Sequence, residues 1–115
     1  QSIIREMQRS HAFFSVEMNP ACPNSVIEAL ACGLPVLGWE NGAINELVDA
    51  TCAAVVPYGG EVWKGEPASV DGFTEKANNL VDNLAEYRQN ARHRAESLFG
   101  LDNMINKYLQ MIFPQ

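Results

Sequence analysis

The stretch Pro23-Asn24-Ser25-Val26-Ile27-Glu28-Ala29-Leu30-Ala31-Cys32-Gly33-Leu34-Pro35-Val36 decides the fold. Pro23 suits the first turn of a helix, where a missing N–H leaves no hydrogen bond unmade, and Asn24 or Ser25 offers a small polar side chain to a free amide. A helix is expected over 24–32. At 3.6 residues per turn, Val26, Ile27, Leu30 and Ala31 form its buried face, and Asn24, Ser25 and Glu28 project to the other side. Gly33 supplies a left-handed stop and Pro35 prevents the helix from resuming, so 35–39 reads as a short strand.

The flanking residues extend this pattern in both directions. Upstream, Ile3, Ile4 and Met7 recur at helical spacing across 2–9, and the apolar run Ala12, Phe13, Phe14 and Val16 within 11–16 suits a buried strand of a parallel sheet. Residues 18–23 then form a loop. Downstream, Asn41-Gly42 signals a turn, 43–48 a brief helix and 53–56 an apolar strand. Strands alternating with helices imply right-handed crossovers and an α/β fold, a Rossmann-like parallel sheet covered on both faces, in the doubly wound manner.

The chain reads as a single partial domain. Residues 1–57 form its αβαβαβ part, and the Gly- and Pro-containing segment 58–69 is a loop that leaves the sheet. Residues 70–115 are C-terminal helices, marked by three stripes: Phe73, Ala77, Leu80 and Leu84; then Tyr87, Ala91, Ala95 and Leu98; then Leu101, Met104, Ile105, Tyr108, Leu109 and Ile112. Gly100 separates the last two.

With 115 residues, 47% hydrophobic and 19% charged, the chain has material for one packed core. Fourteen acidic against eight basic side chains give a net charge of -6, which disfavours nucleic acid and anionic lipid as partners. No apolar run approaches the roughly 20 residues of a membrane-spanning helix, and no leader opens the chain, so a cytoplasmic protein without a transmembrane segment is expected. Cys22, Cys32 and Cys52 lack C-x-x-C spacing, and His11 and His93 stand far apart, which indicates neither a disulfide framework nor a zinc site.

The chemistry concentrates at the loop before the 24–32 helix. It lies past the carboxyl end of a strand, where ligands of such sheets bind, and free amides at the positive end of a helix dipole can hold a diphosphate without a basic side chain. One turn in, Glu28 can accept hydrogen bonds from a pair of vicinal hydroxyls.

At these residues the sequence resembles the glycosyl transferases group 1 family, whose hallmark is an acidic residue, a short loop, then Glu-Ala-hydrophobic-Ala-Cys-Gly-x-Pro-Val. Asn41-Gly42-Ala43-Ile44-Asn45-Glu46-Leu47-Val48 is loosely similar to its Gly-Gly-x-x-Glu-hydrophobic segment, and Phe99, Met104 and Tyr108 to its helical ending. The resemblance implies the GT-B fold and a mostly retaining glycosyltransferase that moves a sugar from a nucleotide-diphosphate donor to an acceptor hydroxyl. No cofactor is implied beyond that donor substrate. It also implies that Glu28 bonds the ribose, that backbone amides around Ala21, Cys22 and Asn24 lie near the sugar and diphosphate, and that Asn24 and Ser25 sit closest to the phosphates.

Two departures accompany the resemblance. The motif's first acidic residue, eight positions before Glu28, falls on Pro20, and Glu17 can stand in only if the loop bends back. The family pattern also places Gln1 in the middle of the donor domain. The phosphate-neutralising basic residues and the N-terminal acceptor domain are then expected upstream, and the fragment alone should be inactive. Such a piece should expose a sheet edge and face, with poor stability or self-association.

Plainer readings stand beside these. Ser25 and Glu28 have capping-box spacing, a purely helix-stabilising role that spacing alone would favour and that the following Ala-Cys-Gly-Leu-Pro-Val outweighs. Cys32 reads as a small core residue, Cys22 as a residue of the ligand loop, His11 as structural and His93 as solvated; Trp39 and Trp63 are as readily packing residues as sugar platforms. A noncatalytic binding or assembly module built on the GT-B fold is the alternative function, motivated by Pro20. Nucleotide-sugar epimerases or phosphorylases of that fold are a weaker third.

Overall fold

A computed structural model of the chain describes residues 2–114. It opens with helix α1 (Ile3–Arg9), strand β1 (Phe13–Ser15), helix α2 (Asn24–Ala31), strand β2 (Val36–Glu40), helix α3 (Ile44–Leu47) and strand β3 (Ala53–Pro57). A single 3-10 turn, Val62–Lys64, interrupts the loop after β3, and helices α4 (Phe73–Asp82), α5 (Leu84–Leu98) and α6 (Leu101–Ile112) complete the chain. The sheet is parallel with strand order β1-β2-β3. The fold is α/β, a three-stranded parallel sheet flanked by helices, consistent with a Rossmann-like arrangement. Strand order follows chain order, so the reversal that makes a sheet doubly wound is absent among the described residues.

Register fixes which side chains share a face. Phe13, Val36 and Ala53 are aligned across the sheet, as are Ser15, Gly38 and Val55. Because strand side chains alternate, this face meets α2, α3 and α5, and its core is Val26, Leu30, Val36, Ile44, Leu47, Val48, Cys52, Ala53, Ala91 and Ala95. Gly38 belongs there because a Cβ would lie 3.2 Å from the Ser15 carbonyl and 3.3 Å from Ile44 Cδ1. The opposite face carries Phe14 and Trp39, and Phe73 of α4 closes an aromatic cluster with them, ring centroids 5.3–5.4 Å apart. The Trp39 indole N–H donates to the Ser69 carbonyl at 2.7 Å, which makes this tryptophan a packing residue, whereas Trp63 is exposed.

Several expectations are corrected in detail. β1 is an edge strand of three residues rather than a fully buried one: Phe14 is 45% exposed and Val16 lies outside it, exposed, because β1 pairs on one side only and α4 covers the far face only in part. The segment 58–69 folds back on itself, with the Tyr58 hydroxyl donating to Glu66 O and the Ser69 amide to Tyr58 O. α4 and α5 are not a tail, since α4 packs on the sheet and α5 on α2. α6 alone stands apart; its stripe from Leu101 to Ile112 is exposed, Tyr108 by 59%. No helix of the described residues is long and apolar enough to cross a membrane.

Three arginines tie α5 to the ends of the preceding helices. Arg88 donates to Ser10 O after α1, Arg92 to Ala31 O at the end of α2, and Arg94 to Leu47 O and Glu46 O at the end of α3. Arg94, its side chain only 19% exposed, also pairs with Asp49 at 2.8 Å. A hydrogen bond from the Thr51 hydroxyl is the largest influence on Asp49; with the Thr51 amide and Arg94, and against partial burial, it holds the carboxyl below its ordinary 3.8.

Arg94→Met should cost about 1–3 kcal/mol in urea unfolding, because it leaves helix-end carbonyls and Asp49 without a charged donor. The more exposed Arg92→Met should cost less. Leu30→Ala, which empties a fully buried site, should cost about 2–5 kcal/mol, and Ile105→Ala on α6 no more than about 0.5 kcal/mol. Because the folded state lowers the Asp49 pKa, its contribution is present above the ordinary value and fades as pH falls through the folded one. Thr51→Val should therefore lower the neutral plateau of a stability–pH curve and flatten its acid limb, leaving stability at the acid end nearly in place.

Candidate functional site

At the carboxyl end of the sheet, the loop between β1 and α2 lies against the turn that follows β2. Asn41 joins them. Its carboxamide accepts the Asn19 amide through Oδ1 and donates through Nδ2 to Trp39 O at 3.2 Å. The Ala43 amide then donates to Pro20 O at 2.8 Å. Gly42 has φ +54, and a Cβ there would sit 2.5 Å from the Pro20 nitrogen, Cδ and carbonyl oxygen, so the close approach of residue 20 leaves room only for glycine at 42. Asn19, at φ +48, is the one non-glycine residue with positive φ among those described, and Asn tolerates that region better than most residues.

Pro20 is buried in this clamp, and the chain leaves it exposed at Ala21 and Cys22 before α2 begins. Pro23 takes the cap position with no side-chain cap hydrogen bond, so neither Asn24 nor Ser25 caps the helix. Ser25 instead donates to Glu17 Oε1 at 3.4 Å, a long and weak contact, and the loop does bend back to bring Glu17 to the helix start. Beyond the first intrahelical bond, Val26 N–H to Pro23 O at 3.0 Å, the amides of Ala21, Cys22, Asn24 and Ser25 have no acceptor among the described residues. They form the unfilled donor set of a helix start.

Glu28 lies one turn into α2, exposed, on the same side as Asn24. It makes no capping-box hydrogen bond and has no partner among the described residues. Its stem borders an apolar groove of about 590 Å³ between α1 and α2, walled by Ile3, Ile4, Met7, Ala31 and Cys32. The structure thus gathers Ala21, Cys22, Asn24, Ser25 and Glu28 along one loop and helix start. The charged side chains of 16–28 and 40–46 are all acidic, namely Glu17, Glu28, Glu40 and Glu46.

Other sequence candidates lie elsewhere. Cys32 ends α2, half-buried, Cys52 is buried with its thiol pushed up by desolvation, and all three cysteines are free. His11 and His93 are exposed, and His93 faces Ser97 one turn on. Among the described residues no three His, Cys, Asp or Glu side chains cluster as a metal would require. Asn41 and Gly42, which the sequence marks as a turn and as the start of a Gly-Gly-x-x-Glu-like segment, hold the loop in place; the dipeptide was visible, but its partner 22 residues away was not.

No family model matches the chain, and no curated protein matches it. The likeness to glycosyl transferases group 1 rests on the quoted residues alone.

Gly42→Ala should cost about 1–3 kcal/mol, from a side chain at positive φ and from its overlap with Pro20. Hydrogen exchange should show the loss as faster exchange at 18–23 and 43, with the Ala29 and Leu30 amides of α2 less affected.

Proposed function

We propose that the chain supplies the ribose and diphosphate end of a nucleotide-sugar donor site in a glycosyltransferase acting on an acceptor hydroxyl. One observation carries the reading: a row of unfilled amides at the start of α2 is followed, one turn later, by an exposed carboxylate with no partner, Glu28. Amides at a helix start match phosphate oxygens, and a carboxylate acceptor matches the two hydroxyls of a ribose. The roughly five-ångström rise of one helical turn between them suits a diphosphate joined to a ribose. The apolar groove beside Glu28 offers a dry wall for a flat base.

The loop segments bring no positive charge, so the charge that neutralises the leaving diphosphate must come from another part of such an enzyme. Ala21, Cys22, Asn24 and Ser25 bind and orient in this scheme, and Glu28 holds the ribose. No residue of the chain is assigned to the transfer step itself.

A noncatalytic GT-B-derived module is the second reading, and a specific observation favours it. Pro20, at the position where the resemblance calls for a sugar-binding acid, is buried with its carbonyl already bonded to Ala43, and Glu17 sits at the helix start in the place an incoming anion would want.

Titration with uridine, guanosine and adenosine diphosphates, followed by isothermal calorimetry and ligand-observed NMR, separates the readings. The first expects weak binding of at least one nucleotide and a loss of about tenfold or more in Glu28→Gln, from two hydroxyl hydrogen bonds to a charged acceptor. Unchanged affinity in Glu28→Gln sinks the ribose role. No binding by any of the three supports the noncatalytic module. Glu17→Gln should strengthen diphosphate binding by removing a like charge.

A further inference from the structure

The Asn41-Gly42 peptide does more than turn the chain. Asparagine is among the residues most prone to covalent decay, and a following glycine leaves its own nitrogen unshielded by any side chain. Both features meet at 41–42, beside the loop that the same asparagine holds.

We propose that Asn41 is a latent deamidation site, kept unreactive by the clamp it forms and able to release that clamp irreversibly once modified. The reaction needs only water. The Gly42 backbone nitrogen attacks the Asn41 side-chain carbon Cγ, forming a C–N bond; the bond from Cγ to Nδ2 breaks, and ammonia leaves with the proton from the Gly42 nitrogen. Water then opens the cyclic imide at one of its two carbonyls, giving either aspartate or an isoaspartyl linkage.

In the folded chain that attack is obstructed at three points. Oδ1 is held by the Asn19 amide, and Nδ2 by Trp39 O at 3.2 Å. Pro20 lies so close over Gly42 that there is no room for even a methyl group. Swinging Cγ toward the Gly42 nitrogen therefore requires both carboxamide bonds to break and the 18–20 loop to lift, so reactivity at Asn41 follows local opening of that loop.

Modification would undo what restrained it. Aspartate at position 41 replaces the Nδ2 donor with an oxygen facing Trp39 O, turning an attraction into a repulsion. An isoaspartyl linkage lengthens the main chain by one methylene between 41 and 42, and the 2.8 Å Ala43-to-Pro20 bond and the Pro20–Gly42 contact cannot both survive it. The loop carrying Ala21, Cys22 and Asn24 loses its template. The inference stands whether or not that loop binds a nucleotide.

The test is peptide mapping by mass spectrometry on the whole protein incubated at mildly alkaline pH, beside a synthetic peptide covering 36–48 under the same conditions. Asn41 in the folded protein should deamidate about tenfold or more slowly than in the peptide, the factor expected from two hydrogen bonds that must break first. Equal rates in the folded protein and the peptide overturn the protection, a comparison that needs no variant. The deamidated protein, separated by ion exchange, should show faster hydrogen exchange at 18–23; unchanged exchange there overturns the release.

Discussion

The placement of the short helices depends on α5. Ala91 and Ala95 are small enough to bring this helix close against α2, and from that position Arg88, Arg92 and Arg94 each reach the carbonyl end of a different earlier helix. Helix carboxyl ends carry unsatisfied acceptors and partial negative charge, and a guanidinium answers both. Three short elements of seven, eight and four residues, none long enough to persist alone, are gathered under one fifteen-residue brace. Buried apolar side chains supply the driving force, and the arginines decide how the pieces are oriented.

Much of the fold was legible because it was written in local signals. The helix from Asn24, its stop at Gly33 with φ +70, the strand resuming after Pro35 and the break at Gly100 follow from backbone preferences that neighbouring residues express. The brace was not legible, since Arg88, Arg92 and Arg94 look like an ordinary solvated helix face until the carbonyls 47 to 78 residues earlier are brought beneath them. Strand order was missed for the same reason. Alternation of strands and helices gives a parallel sheet but leaves its direction of growth open, and only the observed pairing shows β1, β2 and β3 laid down in sequence.

The candidate site divides along the same line. Glu28 could be placed on the outer face of α2 by counting turns, and the free amides before it by the proline at its start. The way the loop is held could not. Pro20 stood out in the sequence as a lost acid, whereas in space it is a wedge fitted to Gly42; Glu17, three residues earlier in the loop, takes up a position beside Ser25. A side chain that looks like a defect in one dimension is a packing solution in three.

That fit between Pro20 and Gly42 constrains which substitutions the loop can take. A carboxylate at position 20 would add a backbone N–H and a flexible side chain where the turn now receives a flat, donor-free ring, and any side chain at 42 would meet the main-chain nitrogen and carbonyl oxygen of residue 20 as well as that ring. The constraint falls on position 42 and on the path of the main chain at 20. Position 42 is closed to every side chain while the main chain at 20 keeps its path, whereas position 20 accepts any residue that follows that path, so the contact is open to change on one side and shut on the other.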